Sequence, residues 1–199
     1  SGTGPKAGGP AYVKRFMTTK GTGPKPSNLI ESADTVPLVK LQTAIDALPA
    51  PIMTALDAVD LPGPTGESNR LSTYARGTVL CLGPSNQEAM EQATIAQSSG
   101  CVALMVLPKA QDADSDIPAI IGGFNLQDLE KLKGIDAVAL WGNEADLQLA
   151  RQALAARRGA ILPLIGKQED MAERCTLERH ICIDTTAAGG NASLLAASS

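Results

Sequence analysis

From Gly77 onward the sequence alternates short apolar runs with helical stripes, and this alternation restricts the fold more than any other feature. Thr78 to Gly83 is nearly continuous in apolar residues, as expected of a strand buried on both faces. Cys101 to Leu107, Ile135 to Trp141 and Ala160 to Ile165 repeat the pattern, and Arg179 to Ile183 supplies a fifth strand. Between them lie helical patterns. Ser85 or Asn86 caps a helix running to about Ser98, with Ala89, Ala93 and Ala96 as a thin apolar face. A short helix is expected at Leu126–Leu132. A longer one runs from Glu144 to Arg158, with the stripe Leu147, Ala150, Leu154, and Arg157 and Arg158 placed to complement its C-terminal dipole before Gly159. Another is expected from Glu169 to Leu177. Pro163 removes a ladder donor, which assigns its strand to an edge or bulge. Strands alternating with helices give a parallel sheet with right-handed crossovers. The expected class is α/β, a Rossmann-like parallel sheet with helices on both faces, over residues 76–186.

The rest of the chain does not share this pattern. Residues 1–10 hold four glycines and two prolines, which no helix or central strand tolerates. Residues 11–16 read as a short strand or arm, so an irregular arm precedes the sheet. The chain starts inside a loop and without methionine, and is expected to be cut from something larger. Gly2-Thr3-Gly4-Pro5-Lys6 recurs as Gly21-Thr22-Gly23-Pro24-Lys25, but neither copy has the spacing of a phosphate-binding P-loop. Residues 20–75 read as a linker with short helices. One carries the stripe Leu38, Leu41, Ile45, Leu48 and stops at Pro49 and Pro51; a second is expected at Ile52–Val59. Leu61 to Asn69 reads as a turn-rich loop.

Composition narrows the function classes. With 44% hydrophobic and 19% charged residues, the chain is ordinary for a globular protein, and only 3% are aromatic, so aliphatic residues must fill the core. The net charge is −4 and no basic run exists, which gives nucleic-acid binding no support. No apolar run approaches the ~20 residues a membrane helix needs. Cytoplasmic placement is expected. Cys81, Cys101, Cys175 and Cys182 lack metal-type spacing and read as reduced thiols acting as small apolar residues. Asp112, Asp114 and Asp116 alternate without the glycine and glutamate of a calcium loop.

Two catalytic or cofactor constellations can be weighed. The first strand-to-helix turn, Gly83-Pro84-Ser85-Asn86, has a single glycine, where the dinucleotide fingerprint needs three. Cys175, His180 and Asp184 offer a cysteine, the only histidine and an acid. His180 and Asp184 share one strand face, but Cys175 comes from the preceding helix. A strand histidine satisfied by a neighbour is the simpler reading.

The final stretch carries no catalytic group. Thr185, Thr186, Ala187, Ala188, Gly189, Gly190, Asn191, Ala192 and Ser193 are small, and Gly189 and Gly190 permit positive φ. Such a peptide suits insertion into a narrow slot, and Leu194-Leu195 would gain nothing in a free tail. Ile183 to Leu194 resembles the closing motif of long forms of proline utilization A, the bifunctional bacterial enzyme oxidising proline to glutamate. Ser1 to Pro10 is similar to the final loop of that family's aldehyde dehydrogenase domain, and Leu61 to Asn69 is a third match between them. One departure is Asp184, where the family motif has asparagine.

The resemblance implies several expectations. Residues 1–19 would end the glutamate-semialdehyde dehydrogenase domain, with Ser1 and Gly2 anchoring the substrate carboxylate. Residues 76–186 would form a non-catalytic domain like an aldehyde dehydrogenase, covering the tunnel between two active sites. Residues 187–199 would be the tail, with Thr185 to Ser193 sealing the tunnel. Its partner is then the remainder of the parent polypeptide. NAD and FAD belong to the parent and no cofactor is expected in this chain, which in isolation would be inactive. The alternatives are a stand-alone Rossmann-like module binding a nucleotide through Gly83–Asn86, or an oligomerisation module.

Overall fold

The computed structural model of the protein describes residues 35–63, 66–110 and 116–184. Five strands form a parallel sheet: β3 (Thr78–Cys81), β4 (Val102–Leu107), β5 (Ala119–Ile121), β6 (Ala137–Ala139) and β7 (Leu164–Ile165). Their spatial order is β5-β4-β3-β6-β7. The chain works outward from β3 to one edge, returns, and works outward to the other. This is the 3-2-1-4-5 order of a doubly wound Rossmann-like sheet, and it creates a switch point between β3 and β6.

Side-chain alternation divides the core in two. Leu80, Leu82, Leu104, Val106, Val138 and Leu140 face one side. They pack against α1 (Leu38–Asp46), a 3-10 helix (Leu126–Glu130) and α3 (Glu144–Ala155) through Leu41, Leu129 and Leu147. Val79, Cys81, Ala103, Met105, Ala137 and Ala139 face the other side, with α2 (Asn86–Ser98) and α4 (Met171–Arg174). Here small meets small: Ala89, Ala93 and Ala96 let α2 lie close on alanine-rich strands, which compensates for the lack of large side chains. Helices therefore cover both faces, as expected.

A second, three-stranded antiparallel sheet has the order β1-β2-β8, with β1 (Ala55–Leu61), β2 (Glu67–Ala75) and β8 (Thr176–Asp184). Several sequence expectations change here. Ile52–Val59 is not a second helix; its C-terminal half is β1, paired with β2 from Ala55↔Tyr74 to Leu61↔Asn69. The partner lies beyond a loop, so local periodicity could not reveal it. Residues 67–69 likewise belong to β2 and not to a loop. The fifth parallel strand is β5, whereas Arg179–Ile183 lies in β8, antiparallel to β2 in the other sheet. Glu178, Arg179 and His180 would be costly in a strand buried on both faces. The Glu169–Leu177 helix contracts to the single turn of α4, because Thr176 already starts β8. Pro163 precedes β7 at the sheet edge, where a missing donor is tolerated.

Arg157 also acts differently from expectation. Its Nη1 donates to the carbonyls of Leu129 and Leu132 at 2.6 and 2.5 Å. It therefore closes the end of the 3-10 segment and not that of its own helix.

Candidate functional site

In open α/β sheets, ligands bind beyond the carboxyl ends of the strands at the switch point. Here that place lies between the ends of β3 and β6, where α2 and α3 begin. The first turn is Gly83-Pro84-Ser85-Asn86. Gly83 has φ of +80°, and a Cβ there would lie 2.6 Å from the Ser85 carbonyl oxygen. Only glycine fits this tight turn.

The Gly83, Ser85 and Glu88 N–H groups of this turn are already engaged. The Gly83 N–H donates to Gln92 Oε1 at 3.0 Å, and Gln92 Nε2 donates back to the Gly83 carbonyl at 2.9 Å. That carbonyl also accepts the Trp141 N–H from the end of β6 at 2.8 Å. Gln92 is fully buried, so a side-chain amide plugs the turn from beneath. At the start of α2, Ser85 Oγ accepts the Glu88 N–H, while the Glu88 carboxylate accepts both the Ser85 N–H and hydroxyl. This capping box places the protein's own carboxylate where the helix dipole would hold an anion. Asn86 is tied to the backbone of Lys109 beyond β4.

The start of α3 repeats the arrangement. Asn143 Oδ1 accepts the Asp146 N–H at 2.9 Å. Asp146 is buried; burial pushes its carboxyl up, opposed by a hydrogen bond from the Asn143 backbone. Both helix starts thus present acidic groups. A pyrophosphate would meet carboxylates and would have to displace Gln92, so these residues do not fit a dinucleotide.

Ser85→Ala is expected to destabilise the fold by about 1 kcal/mol, the usual effect of losing an N-cap side chain. Chemical denaturation of the variant would check it.

The Cys175, His180, Asp184 set does not assemble. Cys175 is buried at the end of α4, and its thiol is pushed up by hydrogen bonding with Cys101 and by burial. His180 stands opposite Leu71 in the three-stranded sheet, and Asp184 pairs with Glu67 at its far end. A buried thiol with a raised pKa is a poor nucleophile. A cavity of about 370 Å³ beyond β5, lined by Thr35, Phe124, Asn125 and Leu149 among others, contains no acid, base or thiol. Among the described residues, no group of histidine, cysteine or acidic side chains could hold a metal, and no helix is long and apolar enough to cross a membrane. Ser1, Gly2 and Thr185 to Ser193 lie outside the described residues, as do Asp112 and Asp114.

Gln92 was not singled out from the sequence. The signal was present: it is a polar residue on the Ala89, Ala93, Ala96 stripe, where it must be buried. Arg76, just before the buried strand β3, gave a similar signal.

No family model matches the chain. It is 31% identical over 224 residues to the Bifunctional protein PutA of Salmonella typhimurium, covering 98% of this chain and 17% of that protein. It is 30% identical over 238 residues to the Bifunctional protein PutA of Escherichia coli, with the same coverage of each. Among solved structures, Proline Utilization A (PutA) from Bradyrhizobium japonicum matches 54% of this chain and 13% of its own, at 23% identity and a TM-score of 0.41. The chain thus spans 17% of the length of the curated relatives it matches, and nearly all of it is similar to a segment of PutA proteins.

Proposed function

We propose that this chain is the non-catalytic closing part of a bifunctional enzyme oxidising proline to glutamate. The observation that carries the reading is coverage. Almost all of this chain matches proteins named as bifunctional, yet it accounts for 17% of their length. The remaining polypeptide is its partner and supplies the two active sites, with NAD and FAD bound there. In this reading residues 1–19 end the dehydrogenase domain, with Ser1 and Gly2 at the substrate carboxylate. Residues 20–75 connect, 76–186 cover the tunnel between the sites, and 187–199 insert. The small residues Thr185 to Ser193 suit a tight passage. Sealing would keep a reactive intermediate at high effective concentration near the second site.

The three-stranded sheet supports a role in docking. β1 and β8 are its outer strands, and Leu56, Val59, Ile181 and Ile183 are about half exposed. Ile181 and Ile183 lie on one face of β8, directly before the tail. Exposed apolar residues on open strand edges are suited to covering by another surface. The same feature would serve an oligomer, and the two roles are compatible. The nucleotide-module alternative has less support, because the turn it needs is filled by Gln92 and Glu88.

In the full-length parent, Gly189→Val or Gly190→Val is expected to lower coupled proline-to-glutamate flux several-fold. Each half-reaction assayed alone should be unchanged, and more intermediate should escape to a trapping reagent. Wild-type flux and leakage in both variants would refute tunnel sealing.

A further inference from the structure

Strand β5 forms one edge of the parallel sheet, and β4 engages only its inner side. The Met105 N–H donates to the Pro118 carbonyl at 3.0 Å, and the Gly122 N–H donates to the Leu107 carbonyl at 2.9 Å. Along a strand, the backbone polar groups of successive residues point to opposite sides. Pro118, Ile120 and Gly122 therefore face β4, while Ala119 and Ile121 each turn an N–H and a carbonyl to the open edge. Both are exposed, Ile121 by 52%. Ile120 between them is buried on the α1 side of the sheet.

The chain itself arrives at this edge. Thr35 and Gly123 form a parallel bridge, and the Val36 N–H donates to the Gly123 carbonyl at 2.8 Å. The outward alternation thus continues to Gly123, through Gly122 with its φ of +138°. Val36 is buried in the same cluster as Ile120. A parallel bridge fixes direction and register together. Counting back from Thr35, Ala33 falls opposite Ile121 and Glu31 opposite Ala119. Ala33 then lies beside the exposed Ile121, and Ile30 falls on the side of Ile120 and Val36. No proline or glycine occurs between Pro26 and Pro37, so nothing in residues 27–36 forbids an extended strand.

We propose that residues 30–34 add to the open edge of β5 as a sixth parallel strand. The register assigns each hydrogen bond. The Asp34 N–H donates to the Ile121 carbonyl, and the Ile121 N–H to the Ser32 carbonyl. The Ser32 N–H donates to the Ala119 carbonyl, and the Ala119 N–H to the Ile30 carbonyl. This segment is the occupant because it is already attached at Thr35 in the matching direction, so pairing sacrifices no translational freedom. Left open, such an edge is a template for another chain. The pairing requires nothing of a parent enzyme. In a longer polypeptide it fixes the line along which the preceding chain leaves the sheet.

The test is amide hydrogen exchange, read residue by residue by NMR on the 199-residue chain. Ala119 and Ile121 are expected to be protected together with Ser32 and Asp34. Glu31 and Ala33, whose N–H groups point away from β5, should exchange freely. Ser32→Pro and Asp34→Pro combined remove both donors of the added strand. Ala119 and Ile121 should then exchange at least about tenfold faster. The inward Gly122 N–H should stay protected, which reports that the sheet remains folded. If the double variant does not fold, the alternation in the unaltered chain still decides. Free exchange of Ala119 and Ile121 there, or equal protection throughout residues 30–34, would overturn the proposal. Protection of Ala119 and Ile121 that survives in the folded double variant would overturn it too. Its loss on dilution would then assign the edge to a second copy of this chain.

Discussion

Gln92→Leu is expected to destabilise the protein by about 3 kcal/mol, although leucine nearly matches the volume and is more apolar. The reason is the Gly83 N–H. With Gln92 Oε1 gone, that buried donor has no partner, and an orphaned donor costs more than an ordinary hydrogen bond contributes. The Gly83 carbonyl loses Gln92 Nε2 but keeps the Trp141 N–H, so its loss is smaller. For a chain of this size the melting temperature should fall by roughly 6–12 °C. An unchanged melting temperature would mean that water enters the turn and satisfies it. The turn would then be open to a ligand, and the nucleotide-binding alternative would regain ground. The stability of this variant therefore also bears on function.

Gly77→Val should be at least as damaging, with an expected loss of about 4 kcal/mol. Gly77 precedes β3 at φ of +121°, a region closed to a β-branched residue. A Cβ there would lie 2.1 Å from Asp136 Oδ2, the atom that accepts the Thr78 N–H at the start of the central strand. Strain and a broken hydrogen bond thus act together at one point. Gly159→Ala is the control: φ is +103°, but nothing lies within 4 Å of the added carbon. It should show only the backbone term, about 1 kcal/mol. Urea unfolding should give lower midpoints with unchanged slopes. Equal losses in the two variants would show that the Asp136 contact contributes nothing.

The central strands were legible because each is a short apolar run with its own helix behind it. Thr78 to Gly83 and Cys101 to Leu107 contain enough apolar side chains to require burial on both faces, whatever the rest of the chain does. The capping box was legible in part, since Ser85 stood before an apolar stripe. Arg157 was misplaced because its carbonyl partners, Leu129 and Leu132, lie far from it in sequence. Gln92 and Arg76 were overlooked for a related reason. A polar residue on a buried stripe signals a partner, but the sequence does not say which.

The sequence by itself determined the α/β class, the helices on both faces and the kinship with PutA, and it narrowed β7 to an edge or a bulge. These rest on local period, composition and motif order, which each segment carries within itself. Only the tertiary structure decided that Ala55–Leu61 is a strand, that β8 leaves the parallel sheet for β2, and that the dinucleotide turn is plugged by Gln92. It alone brought Arg76 to the carbonyls of Arg174, Cys175 and Thr176. Each of these depends on pairing between segments distant along the chain. Strand partners and buried counter-charges are chosen by which surfaces the folded layers bring together, and that choice leaves little trace in local periodicity.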